Sequence, residues 1–161
     1  MNKGSYSFRL GCFECSVIHD GIFNVPDIKP KLFSDLYIQI RTGEVIDINN
    51  LLIRTGKHTI LLDTGDGVAR LPSGGNLMKN LEFMGIQREE VDIVILSHGH
   101  GDHISGITDA ECKPVFPNAR YIMSREEWEF WTSDPNLGNM DEDDEMRRMF
   151  APGLYRITLF L

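Results

Sequence analysis

Ile93-Val94-Ile95-Leu96-Ser97-His98-Gly99-His100-Gly101-Asp102-His103 is the stretch on which the reading of this chain turns. An apolar, β-branched run is followed at once by a polar loop that holds three of the chain's five histidines. Neutral imidazole is the commonest metal-binding side chain. A carboxylate adds the hard, charged donor that zinc, iron and manganese also accept. His98 and His100 stand two apart, so both point the same way if the segment stays extended. Asp102 and His103 then follow a turn, for which Gly99 and Gly101 offer backbone freedom. One short loop can therefore present two histidines to one metal and an Asp-His pair to a second. Two metals roughly 3.5–4 Å apart can polarise a carbonyl or phosphoryl oxygen between them.

Outward from this loop, the chain alternates strand and helix signals. Val91 to Leu96 reads as a strand buried on both faces. Upstream, Asn49 to Thr55 and His58 to Leu62 form a hairpin around Gly56-Lys57. The second of these strands runs into the glycine-rich loop Asp63-Thr64-Gly65-Asp66-Gly67. Residues 6 to 19 read as a strand or hairpin that ends at Asp20-Gly21. Residues 24 to 35, with Pro26 and Pro30, read as loop. Leu77, Leu81 and Met84 have helical spacing and Gly85 is a natural stop, which predicts a helix over about 76–84. Downstream, Tyr121 to Met123 is a short strand. Ser124-Arg125-Glu126-Glu127 is a capping box that opens a helix through Trp128 and Trp131. Asp141 to Glu145 is read as a solvated helix start, with Met146, Met149 and Phe150 on its buried side. Arg156 to Leu161 reads as an apolar strand on which the chain stops in mid-element, as the cut end of a longer chain would. The order of elements indicates a mixed α/β domain, α+β in some schemes.

The bulk properties narrow the partners. At 161 residues the chain suits a single domain. Its net charge of −8 argues against a nucleic-acid partner, whose footprints are basic. No apolar run approaches membrane-spanning length, and the first residues lack the apolar core of a signal peptide, so a cytoplasmic protein without a membrane partner is expected. The three cysteines, Cys12, Cys15 and Cys112, read as reduced thiols. Cys12 and Cys15 fit C-x-x-C but lie in a strand-like stretch with no second cysteine pair, which argues against a zinc knuckle.

His98-x-His100-x-Asp102-His103 after a buried strand resembles the signature of the metallo-β-lactamase superfamily. Asp63, in Leu61-Leu62-Asp63-Thr64-Gly65, matches that superfamily's upstream aspartate. The segment Phe116-Pro117-Asn118-Ala119-Arg120-Tyr121-Ile122-Met123-Ser124-Arg125-Glu126-Glu127-Trp128-Glu129-Phe130-Trp131 looks like the region after the signature in the subgroup around N-acyl-homoserine lactonases. The tryptophans in it are read as packing residues. The resemblance implies an αββα sandwich, of which residues 1–161 would form the N-terminal half or more as one domain, incomplete at its C-terminus. It implies two zinc ions, with iron or manganese as alternatives. His98 and His100 would bind the first ion, Asp102 and His103 the second, and Asp63 would support them from behind. It implies hydrolysis of a lactone or other ester by a metal-bound hydroxide, with Asp102 taking up or relaying a proton. A mono-iron dioxygenase on the same fold is the alternative chemistry.

The departure from the family pattern matters as much. The superfamily draws further ligands from its second half, yet no histidine follows His103 in this sequence. Each metal is left with two ligands, where catalytic zinc takes three and an open position. The competing expectation is a truncated or split member without activity of its own, which would need a complementing C-terminal half or a second copy.

Overall fold

The computed structural model of the chain describes residues 4–24, 45–67 and 73–133. Among these, six strands form one mixed sheet in the spatial order β1 (Ser5–Leu10), β2 (Phe13–Asn24), β3 (Val45–Arg54), β4 (Thr59–Leu62), β5 (Ile93–Leu96) and β6 (Arg120–Met123). Strands β1 to β4 are an antiparallel meander, whereas β5 runs parallel to both β4 and β6. Parallel neighbours need crossover connections. Here these carry α1 (Leu77–Phe83) and α2 (Gly101–Ile104), and α3 (Arg125–Ser133) follows β6. The α/β class read from the sequence is the class observed. Asn24 ends β2, while the rest of the loop expected over 24–35, the acidic run Asp141–Glu145 with its helix, and the terminal run Arg156–Leu161 lie outside the described residues.

The meander follows from its turns. Gly56 takes φ 84° between β3 and β4, a conformation that glycine adopts without a Cβ penalty. Thr55 closes the same turn, its Oγ1 accepting the N–H groups of Lys57 at 3.3 Å and His58 at 3.0 Å. Strand β2 does not stop at Asp20-Gly21. The register against β3 slips between His19 and Gly21, and the strand continues to Asn24 through this bulge. The bulge turns Asp20 inward, where it is fully buried. Its carboxylate accepts three backbone N–H groups, from Asp66 at 2.9 Å, Gly75 at 3.1 Å and Leu77 at 2.8 Å. One side chain thereby ties β2 to the loop after β4 and to the start of α1.

Strand registers put Ile18, Leu52, Leu61, Val94 and Leu96 on one face of the sheet. They pack there with Leu77 and Leu81 of α1, with Ile86, Val91, Ile104, Ile107 and Phe116 from the connections, and with Trp131 of α3. The opposite face carries Leu51, Ile53, Ile60, Leu62, Ile93 and Ile95, all only half-buried, and Ile122, which is 39% exposed. The strand expected over 91–96 is thus shorter than its apolar run. It is also covered fully on one face only, because the described helices all pack on the side of Val94 and Leu96. A 3₁₀ turn over Arg88–Glu90, with a capping box between Gln87 and Glu90, precedes that run, and the strand itself begins only at Ile93. No helix among the described residues is long and apolar enough to cross a membrane.

Replacement Asp20→Ala would leave three N–H groups without their acceptor in a buried site. Each such loss costs about 1–3 kcal/mol. The expected outcome is a fall of about 3 kcal/mol or more in unfolding free energy, read from urea denaturation followed by circular dichroism. A midpoint equal to that of the parent would show that the bulge does not depend on this carboxylate.

Candidate metal centre

Ligands in open α/β sheets bind outside the carboxyl ends of parallel strands. All the candidate side chains collect at that edge. Asp63 leaves the end of β4, the histidine loop leaves the end of β5, and Ser124 with the first turn of α3 leaves the end of β6. Asp63 continues the parallel ladder, its N–H donating to Ile95 O at 2.9 Å, and then turns with φ 61°. Left-handed backbone is uncommon outside glycine and is tolerated best by Asn and Asp. Thr64 fixes the next step, donating its N–H at 2.7 Å and its hydroxyl at 3.0 Å to His103 O. Gly106 fits beneath it because a Cβ there would overlap Thr64 O.

These tethers aim the Asp63 carboxylate back at the loop. Oδ1 accepts the N–H of Ser97 at 2.7 Å, and Oδ2 accepts the Ser97 hydroxyl at 2.8 Å. Oδ2 also lies 2.8 Å from His103 Nδ1. Burial pushes the Asp63 carboxyl up, but the bonds from His103 and Ser97 outweigh it and hold the group below its ordinary 3.8. An ionised carboxylate only accepts, so His103 Nδ1 carries the proton. The same accounting reaches His98. Ser97 has one hydroxyl proton and gives it to Asp63, so its Oγ accepts the Nδ1–H of His98, 2.9 Å away. Both imidazoles are thus protonated at Nδ1, which in the neutral ring leaves Nε2 as the lone-pair donor.

The rings gather closely. His98 lies 4.0 Å from His103 and 4.4 Å from His100, centroid to centroid. Asp102 joins them, its Oδ2 3.5 Å from His103 Nε2. Burial, followed by repulsion from neighbouring imidazoles, holds His98 and His100 below their ordinary 6.5, so both are neutral near pH 7. His103 is also pushed down by burial, but the Asp63 bond and the charges of Asp102 and Asp63 leave it raised. Among the described residues, no three His, Cys, Asp or Glu side chains are arranged to hold a metal ion. The donor chemistry nevertheless fits one in two pairs, His98 with His100 and Asp102 with His103, the first made of two neutral imidazoles and the second carrying a ring that Asp63 orients. The loop itself is extended through His100 (ψ 147°) and then helical over Gly101–Ile104, as the spacing suggested.

Two sequence readings are corrected here. Neither Gly99 nor Gly101 has positive φ, so neither provides an unusual turn. Gly99 is required by proximity, since a Cβ there would overlap the Trp131 indole. The capping box at Ser124 is half made. Ser124 Oγ accepts the Glu127 N–H at 3.2 Å, but Glu127 Oε2 instead accepts Gly99 N–H at 2.9 Å and Trp131 Nε1–H at 2.8 Å. Trp131 is 4% exposed and packs in the core, as expected. The three thiols are free, with Cys12 and Cys112 exposed and Cys15 buried. Sequence reasoning missed the roles of Ser97, Glu127 and Asp20. The serine directly before the signature histidine was the one local signal for the first.

Comparison with known proteins agrees with this geometry. The sequence profile of the Metallo-beta-lactamase superfamily matches residues 43–143. The lactamase-like protein adaB of Aspergillus niger is 44% identical over 61 residues, 38% of this chain and 18% of that protein. An atrochrysone carboxyl ACP thioesterase of Aspergillus fumigatus is 34% identical over 61 residues, 38% of this chain and 13% of its own length. Among solved structures, the hydrolase AbOPH of the beta lactamase superfamily aligns with a TM-score of 0.76 and 26% identity, over 96% of this chain and 55% of that one. The dizinc quorum-quenching lactonase AidC, in complex with the product N-hexnoyl-L-homoserine, aligns with a TM-score of 0.74 and 27% identity, over 97% of this chain and 59% of that one. The chain therefore spans little more than half the length of these solved relatives, and less than a fifth of the two fungal proteins is matched.

The Asp63–His103 pair sets a pH dependence. The raised His103 contributes stability in full below its ordinary 6.5 and loses it as pH rises through the raised value. The lowered Asp63 contributes above its ordinary 3.8 and loses it as pH falls through the lowered value. In metal-free protein, the stability difference between the parent and Asp63→Asn is expected to be greatest between about pH 4 and 6.5 and to shrink on either side. Urea melts at a series of pH values measure it, and a difference independent of pH would exclude the pair as its source.

Proposed function

Because the chain belongs to the metallo-beta-lactamase superfamily, we propose that it is the ligand-bearing part of a metal-dependent hydrolase acting on a lactone or other small ester. The observation that carries this reading is the proton accounting at Asp63. One carboxylate, directly and through Ser97, fixes two imidazoles in the tautomer that offers Nε2 to a cation. Buried carboxylates behind histidines have this function in metal sites generally, where they orient the ring and raise its basicity.

His98 and His100 would hold one ion and Asp102 and His103 the other. Zinc suits this mixture of imidazole and carboxylate, and iron or manganese would accept the same donors. When bound, the metal supplies Lewis-acid polarisation of the carbonyl under attack and lowers the pKa of a coordinated water. The chain's own groups do the rest. Asp63 holds His103 against rotation. Ser97 passes the same constraint to His98. Asp102 is only partly buried, 35% of its side chain being exposed, so its carboxylate can both join a ligand set and accept or return a proton at the substrate side.

Two relatives support an acyl substrate. AidC is a lactonase with a homoserine product, and the Aspergillus fumigatus protein is a thioesterase. Both names describe cleavage of a carbonyl–heteroatom bond. Each candidate ion has two ligands here, and catalytic zinc takes three. The proposal therefore includes completion of the site by a complementing C-terminal half or a second copy of the chain. The sheet face of Leu51, Ile53, Ile60, Leu62, Ile93 and Ile95 is the surface on which either would sit. Cytoplasmic residence belongs to the same proposal and suits the three free thiols.

Zn²⁺ or Co²⁺ titration of the purified chain, with elemental analysis after dialysis, tests the site. A panel of N-acyl-homoserine lactones and p-nitrophenyl esters tests the chemistry. Metal binding is expected, weakened about 10–100-fold or more by His98→Ala, with hydrolysis, removed by the same substitution, once the ligand set is completed. Metal binding unaffected by His98→Ala, or no binding at all, would overturn the reading.

A further inference from the structure

Glu127 is the buried-edge carboxylate that the proposed mechanism leaves without a role. We propose that it is a positioning residue for the His98–His100 pair, gripping the peptide between the two histidines from α3 as Asp63 grips His103 from β4. The proposal deepens the metal-site reading above and rests on it.

Glu127 Oε2 accepts two hydrogen bonds at once, from Gly99 N–H at 2.9 Å and from Trp131 Nε1–H at 2.8 Å. Bonds to an ionised acceptor are the stronger kind. Gly99 is the residue between the two imidazoles, so fixing its amide fixes the peptide planes from which both side chains rise. The Trp131 indole lies so close that no side chain fits at position 99, and it meets the His100 ring edge-on with 6.1 Å between centroids. Trp131 itself is anchored in the core. The bracket is thus a carboxylate at the loop's amide and an indole against its Cα, both on one turn of a helix at the four-residue spacing of Glu127 and Trp131.

The same carboxylate is diverted from a local use. In a full capping box it would accept the backbone N–H of Ser124, the residue that caps its own helix. Here Ser124 makes its half of that exchange and Glu127 reaches across to a loop 28 residues away. An outer carboxylate beside a histidine strengthens it as a donor. Each candidate ligand pair then has its own carboxylate, delivered from the end of a different parallel strand.

Three variants separate geometry from charge. Glu127→Gln keeps an acceptor oxygen of the same reach and loses the charge. Glu127→Ala loses both. Trp131→Phe keeps most of the bulk and loses the indole donor. Co²⁺ affinity is measured by its absorption bands, and the imidazole resonances of metal-free, ¹⁵N-labelled protein are followed by NMR. Glu127→Ala is expected to weaken Co²⁺ binding about 10–100-fold and to shift or split the His98 and His100 ring signals while those of His103 stay in place. Glu127→Gln is expected to restore single ring signals but only part of the affinity, and Trp131→Phe to fall between. Unmoved His98 and His100 signals in Glu127→Ala would overturn the proposal. So would a lowered melting temperature with Co²⁺ affinity intact, which would leave Glu127 a merely structural residue. Should the parent bind no Co²⁺, the metal-site reading fails, while the ring signals still decide whether Glu127 positions the pair.

Discussion

The carboxylate of Asp63 is the constraint on which this molecule's arrangement depends. It sits at the end of β4 in left-handed backbone, accepts from Ser97 twice, and holds His103. None of these contacts is local, since its partners lie 34 and 40 residues downstream. They exist because β4 and β5 are parallel neighbours whose carboxyl ends finish side by side. The polar site and the apolar sheet are thus one problem. A one-residue slip of β5 against β4 would exchange the faces of Val94 and Ile95, and it would carry Ser97 and the histidines out of reach of the carboxylate. Core packing of Leu61, Val94 and Leu96 is what prevents the slip.

Much of this was legible in the sequence, and the exceptions have physical reasons. The apolar run before the histidines, the hairpin around Gly56, and the helix from Leu77 all announce themselves by period and punctuation. Asp63 is marked by its place at the end of a strand and by resemblance to a family pattern. The continuation of β2 past Asp20 was not legible, because a bulge interrupts alternation at the point where a strand's end would. Glu127 was read correctly as part of a helix start and wrongly as its cap. Ser-x-x-Glu specifies where a helix can begin, but a tertiary donor at Gly99 competes for the same oxygen. Gly99 shows the same limit. A glycine is visible in any sequence, whereas the indole that requires it comes from a residue 32 positions later and is seen only in the fold.

The two faces of the sheet are unequal in a way the strand patterns do not reveal. Both are aliphatic, as expected of strands made for burial on both sides. One is closed by α1, α3 and the connecting segments, and the other stays half-buried along Leu51, Ile53, Ile60, Leu62, Ile93 and Ile95. The solved relatives that align along nearly the whole chain are longer, with only 55% and 59% of their own lengths matched. Unequal cover and partial length are consistent with each other.

The crowding of His98, His100, Asp102 and His103 into six positions has a thermodynamic consequence. Side chains so near in sequence remain near when the chain is unfolded, so the denatured ensemble also offers a cation a multidentate segment. A ligand stabilises the native state only by its preference for that state over the unfolded one. Metal bound here would therefore return less folding free energy than the same number of ligands drawn from distant parts of a chain. What the fold adds is not the ligands but their backing. Asp63 and Glu127 lie far from the loop in sequence, and they orient its imidazoles only after the sheet has formed. The discrimination between folded and unfolded chain would thus rest with two residues outside the proposed ligand set.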